Sequence, residues 1–179
     1  MKKLFLIAAI TMSLLLGGCG SKETTTETTQ LSLEDAEALV YRTPTDLVDQ
    51  EFNGMHYKVP ASWTVENGDD YVSYYGDHNI YIQITKNSID QDYQTYSLMD
   101  AYLKSYDGCT AQLMGFAGLY DGFQIEGSIK IEDVDRYFLA YYVRPYENTM
   151  YNILGCCDKD SNNFLSGFLA DFERTMSFD

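Results

Sequence analysis

Residues 53–63 read Asn53-Gly54-Met55-His56-Tyr57-Lys58-Val59-Pro60-Ala61-Ser62-Trp63. Asn53-Gly54 is a tight-turn signal, because a two-residue hairpin loop needs positive φ and both residue types tolerate it. After the turn, Met55, Tyr57 and Val59 alternate with His56 and Lys58, the two-residue period of a strand with one buried side. Pro60 ends that strand, since it brings no N–H to a sheet ladder. Trp63, the chain's single tryptophan, is then placed to fold back over the core.

The same period recurs toward the C-terminus. Tyr71 to Tyr75 reads as a strand, a turn follows at Gly76-Asp77, and Ile80, Ile82 and Ile84 share one face of the next strand. Ser97 with Asp100 reads as a capped helix start. Leu98, Met99, Tyr102, Leu103 and Tyr106 line that helix and Gly108 terminates it. A meander is expected next, beginning with 109–119. Phe123, Ile125, Ile129 and Ile131 alternate with polar residues, Tyr137, Leu139, Tyr141 and Val143 follow, and 150–157 closes it. Turn signals fall at Tyr120-Asp121-Gly122, at 132–135 and at Glu147-Asn148. A last helix over 163–176 sets Leu165, Phe168, Leu169, Phe172 and Met176 along one side. Two-faced helices beside alternating strands imply an α+β domain, with a central antiparallel sheet of about six or seven strands flanked by helices.

Toward the N-terminus, Ser32 with Asp35 opens a short helix carrying Leu33, Ala36, Leu39 and Val40, which Pro44 ends. Residues 20–30 (GSKETTTETTQ) are polar and hold no large apolar side chain, so they suit a flexible tether. Ahead of them, Lys2 and Lys3 precede an apolar run of 13 residues from Leu4 to Leu16. That run is shorter than the roughly 20 residues a membrane-crossing helix needs, and it matches the central region of a signal peptide. Leu16-Gly17-Gly18-Cys19 resembles the lipobox of bacterial lipoproteins. The resemblance implies cleavage before Cys19 and acylation of its thiol, a nucleophile that a serine hydroxyl cannot match. The chain then divides into a signal peptide (1–18), a lipidated tether (19–30) and one globular domain (31–179).

Tyr57-Lys58-Val59-Pro60-Ala61-Ser62-Trp63 also resembles the Y-x-V-P-x-x-W stretch of the PsbP-like superfamily, over roughly residues 52–178. The element order agrees with that group: a strand ending in Pro and Trp, a hairpin, a helix, long antiparallel strands and a closing helix. The resemblance implies an α/β/α sandwich. It also implies an accessory or binding protein, with no shared active site whose residues could be carried across.

Composition narrows the functions available. Hydrophobic content of 45% fits a folded chain, and 16 Tyr against 9 Phe suits half-buried strands and partner-facing surfaces. The net charge is −15, and loss of Lys2 and Lys3 with the leader leaves 27 acids against 10 bases, or −17. Such a field repels phosphates, which excludes nucleic acid as a partner and disfavours docking on anionic lipid through a basic patch.

Side-chain chemistry is sparse. His56 and His78 are the two histidines, and neither has partners at metal-ligand spacing. Asp158 to Asn163 imitates the opening of a calcium loop, but Asn163 stands where glycine is required and Leu169 where a bidentate Glu is required. No metal, cofactor or catalytic residue is therefore assigned. An exported domain can pair Cys109 with Cys156 or Cys157, leaving the third thiol free. Tyr74, Tyr75, Tyr81, Tyr93, Tyr96, Tyr141, Tyr142, Tyr146 and Tyr151 are the residues from which a ring-stacking ligand face could be built. The reading that fits best is a lipid-anchored, extracytoplasmic binding or accessory module for an envelope protein or wall component. The alternatives are an envelope hydrolase with a carboxylate-based site, signalled by acids of raised pKa in a deep pocket, and a small-ligand or metal-capturing lipoprotein.

Overall fold

Alternation, where it is strongest, becomes the two longest strands. In the computed structural model, which describes residues 40–90 and 92–179, β7 runs Tyr120–Ile131 and β8 runs Val134–Tyr146. Along β8, Leu139, Tyr141 and Val143 enter one apolar cluster, while Phe138, Ala140 and Tyr142 enter another on the opposite face. A strand buried on both sides has to be apolar almost continuously, and 137–143 (YFLAYYV) is.

Around this pair the chain builds a seven-stranded antiparallel sheet in the order β3-β4-β5-β9-β8-β7-β6. Its other members are β3 (Thr64–Asn67), β4 (Tyr71–Tyr75), β5 (Tyr81–Ser88), β6 (Thr110–Phe116) and β9 (Thr149–Asp158). The Y-x-V-P strand, β2 (Met55–Pro60), is not part of it. It lies in a separate three-stranded sheet between β1 (Leu47–Phe52) and β10 (Ser177–Phe178). Two donors tie the small sheet to the large one, since Lys86 Nζ (2.9 Å) and the Tyr151 hydroxyl (2.6 Å) both donate to the Asn53 carbonyl.

Two α-helices among the described residues complete the layers, as the α+β reading required. Helix α2 (Asn162–Thr175) buries Leu165, Phe168, Leu169 and Phe172 on one side, against β2, β8 and β9. Helix α1 (Thr95–Leu103) packs on β6 and β7 from the other side, through Leu98. It starts ahead of the expected Ser97 cap, because the Gln94 carbonyl already accepts the Leu98 N–H at 3.1 Å. It also ends well before Gly108, whose φ of +77° belongs to a later turn.

Asn53 and Gly54 adopt φ of +52° and +90°, as the hairpin loop demands. The turn expected at Tyr120-Asp121-Gly122 lies instead at Ala117-Gly118, with φ of +49° and +68°, which leaves Gly122 inside β7. Signal peptide, Cys19, tether and the helix expected over 32–40 all precede or fall largely outside the described residues. Among the described residues, no helix is long and apolar enough to cross a membrane.

Directly after β10, Asp179 makes a pH-sensitive tie to β2. His56 Nε2 lies 2.9 Å from an Asp179 carboxylate oxygen, and that hydrogen bond raises the imidazole pKa above its ordinary value. A raised pKa stabilises the folded state at low pH, and the contribution is lost as pH rises through the folded value. In an NMR titration, His56 is expected to titrate at higher pH in the native chain than in Asp179→Asn. The stability difference between the two proteins should close on the alkaline side.

Candidate functional site

Four separated segments meet at a recess of about 260 Å³ lined by Tyr41, Arg42, Trp63, Asp77, His78, Phe164 and Phe168 with neighbouring apolar groups. Trp63 reaches it through the turn after β2, in which its N–H donates to the Pro60 carbonyl at 3.2 Å. The indole lies over Gly76, where any Cβ would collide with it. Its centroid is 4.3 Å from that of Phe168, with the rings tilted by 36°.

His78 forms a second wall. It occupies the β4–β5 turn with φ of +60° and ψ of +28°, a left-handed conformation uncommon for a residue with a Cβ. That backbone lays the imidazole flat on Phe164 at 3.8 Å, 22° from parallel. Strain of this kind persists where the surroundings over-determine it, and it concentrates at functional sites.

The third wall is the strap 41–44, fastened to α2 by one carboxylate. Asp171 accepts hydrogen bonds from the Thr43 hydroxyl (2.6 Å), the Tyr41 hydroxyl (2.8 Å) and Arg174 (2.6 Å). These donors, Thr43 foremost, hold its carboxyl below the usual carboxylate range. Burial, with the bond to Asp171, pushes the Tyr41 phenol up. Gly167 leaves room for the Tyr41 ring on the helix surface, and Tyr41 meets Phe164 edge-on at 6.4 Å and 84°.

Aromatic faces on three sides accept an apolar or planar group, while Arg42 and Asp77 supply one charge of each sign. Ligand cavities usually run about 300–1,000 Å³, so this recess suits one large side chain better than a whole cofactor. Asp171 anchors the strap and does not line the recess, and its lowered pKa suits a fixed hydrogen-bond acceptor. Among the described residues, no three His, Cys, Asp or Glu side chains converge as a metal ion would require.

The sequence-level candidates scatter. His56 belongs to the tie with Asp179, while His78, read as a turn residue, becomes a recess wall. Asp158, in the calcium-like segment, pairs with Arg136 and accepts from Asn79 Nδ2 at 2.6 Å, and Lys159 pairs with Asp135 at 3.2 Å. The nine tyrosines do not form one ligand face. Tyr74, Tyr141, Tyr142 and Tyr151 are buried in the two apolar clusters, and Tyr93, Tyr96 and Tyr146 stand exposed elsewhere. Tyr75 and Tyr81 sit on the outer face of β4 and β5, where Tyr75 and Tyr71 both donate to Glu66 (2.9 and 3.1 Å).

The expected pairing of Cys109 with Cys156 or Cys157 is not made, and all three are free thiols. Cys157 packs in the cluster under α2, whereas Cys109 packs in the cluster under α1, so the sheet itself separates them. Cys156 lies opposite Phe138, which lies opposite Gly127, beside which Cys109 sits. Three strand spacings of about 4.8 Å far exceed the roughly 4.4–6.8 Å between the Cα atoms of a disulfide. Burial pushes the Cys157 thiol up to about 12, which keeps it protonated and unreactive.

No protein-family model matches the sequence, and neither does any curated protein. Solved structures do match. A protein from Bacteroides thetaiotaomicron superposes with a TM-score of 0.52 at 13% identity, covering 70% of this chain. This chain spans less than half, 45%, of that one. LpqN of Mycobacterium tuberculosis, described as involved in cell envelope biogenesis, gives a TM-score of 0.50 at 14% identity over 73% of this chain and 88% of its own. The cyanobacterial PsbP of Synechocystis aligns over 76% and 94% of the two chains at 10% identity, with a TM-score of 0.42. What this chain shares with the first two is their fold.

Proposed function

We propose that this chain is an extracytoplasmic module, held to the membrane by lipid on Cys19, that docks one apolar side chain of an envelope protein in its aromatic recess. The observation that carries the reading is the convergence of Trp63, Phe164, Phe168 and Tyr41 around a strained His78 on a space of one side chain's size. Interfaces draw most of their affinity from a few aromatic or apolar anchors seated in such desolvated pockets, each worth about 2 kcal/mol or more. Cell envelope biogenesis, as described for LpqN, agrees with a place outside the cytoplasm. The strongly acidic surface favours a partner whose rim is basic.

A photo-crosslinking residue at Asp77, an exposed position on the recess rim, tests this in intact cells. A defined envelope protein should be trapped in native chain. Trapping should fall on the order of 30-fold with Phe164→Ala, which corresponds to about 2 kcal/mol, and Cys19→Ala should release the module from the membrane fraction. Trapping of the same neighbours with and without Phe164, or capture of wall glycan alone, would remove the reading.

A further inference from the structure

Among the described residues, β6 is the one edge strand longer than two residues that carries no charge; β10, the second edge of the small sheet, is just Ser177–Phe178 with Asp179 directly after it. The edge strand β1 of the small sheet carries Asp49 and Glu51, and the edge strand β3 of the large sheet carries Glu66, followed by Asp69 and Asp70. At the opposite edge of the large sheet, β6 reads Thr110-Ala111-Gln112-Leu113-Met114-Gly115-Phe116, with no charged residue and no proline. The uncharged run extends from Gly108 to Tyr120 in a chain of net charge −15. Leu113 is 55% exposed, Leu119 in the following turn is 80% exposed, and the space beside Gly115 is open. Charges, prolines and bulges are the usual protection of an edge against pairing with another strand, and β6 has no charge or proline. Leu113 shares its face with Phe123, the residue opposite it on β7.

We infer that β6 pairs antiparallel with β6 of a second copy of this chain, about a two-fold axis through Leu113, joining two seven-stranded sheets into one. The register is self-complementary. Leu113 meets Leu113, Ala111 meets Gly115, Gln112 meets Met114, Thr110 meets Phe116, and no like charges are opposed. Charge also selects the site, because two copies of an acidic chain repel each other at β1 and β3 but meet without opposed charges at β6. Isologous pairing of one patch with itself is the commonest symmetry of oligomers. The inference is independent of the docking proposal: Trp63 and His78 flank β3 and β4 at the far edge of the sheet, so the pair presents two free recesses.

Cysteine crosslinking of the full-length protein in intact cells is the test, with Cys109→Ser as the background because that thiol adjoins β6. Residues directly opposed in an antiparallel strand pair have Cα atoms about 4.5–5.5 Å apart, within the roughly 4.4–6.8 Å that a disulfide spans, so mild oxidation can join them. Leu113→Cys is expected to give a product of twice the mass containing only this chain. Leu119→Cys, more exposed but away from the axis, is expected to stay at single mass. Adding Gln112→Pro to Leu113→Cys should abolish the product, and circular dichroism of that double variant checks that the sheet persists. No double-mass product above the Leu119→Cys level overturns the inference, as does a Leu113→Cys product containing a different protein.

Discussion

Phe172→Ala is expected to lower the unfolding free energy by about 3–5 kcal/mol, the usual cost of deleting a buried aromatic ring. Phe172 is 2% exposed, and its ring lies 5.0 Å from Tyr57 and 6.0 Å from Phe168. Those contacts run in two directions, since Tyr57 belongs to β2 of the small sheet and Phe168 to α2 itself. Tyr57 is anchored by a buried hydroxyl contact with Tyr74 at 2.8 Å, so it cannot swing into the space left by the ring. The void stays open and its full cost is felt. A domain of this size has only about 5–15 kcal/mol to lose. Urea unfolding followed by circular dichroism should show a large drop in midpoint at nearly constant slope. Phe164→Ala, which removes a half-buried ring from the recess, should cost much less, and that contrast separates the variant used to test docking from one that merely unfolds the protein.

Gly122→Ala is expected to cost about 3 kcal/mol or more, at the top of the range for overpacking a core, although it adds a single methyl group. Gly122 is buried inside β7, and a Cβ there would run into the Tyr142 carbonyl oxygen and crowd the Phe116 ring. A flexible side chain tip could move aside. The carbonyl is fixed in β8, paired on both sides by β7 and β9, so strands must separate instead. Gly115→Ala provides the comparison, because its Cβ would project into open space. Thermal unfolding of the two variants should differ by several degrees, with Gly122→Ala the lower.

These same residues show where sequence was readable. Strands buried on one or both sides announced themselves: Ile80, Ile82 and Ile84 fall at 5%, 1% and 0% exposure, as their alternation requires. Helix α2 lies within a residue of the expected span, since its four apolar side chains recur at helical spacing. Strand β1 gave no such signal, because an edge strand with two acids shows no clean two-residue hydrophobic period. The Ala117-Gly118 turn was hidden for a different reason, as alanine is a poor candidate for positive φ. That β2 leaves the main sheet, and that β9 inserts between β5 and β8, depends on pairing between distant segments, which local pattern does not encode. The recess was invisible for the same reason. Trp63 could be singled out, but Tyr41, His78 and Phe164 come together only once α2 has docked.

Occupancy of the recess by one aromatic side chain is the central claim to measure. Two-dimensional NMR of the protein, titrated with p-cresol as a stand-in for one aromatic side chain, reads its occupancy directly, with the indole N–H of Trp63 as the reporter. Saturable shifts confined to Trp63, His78 and the Phe164–Phe168 stretch of α2 are expected, and they should be lost in Phe164→Ala. Shifts that are absent at millimolar ligand, or scattered over both faces of the sheet, would contradict that occupancy.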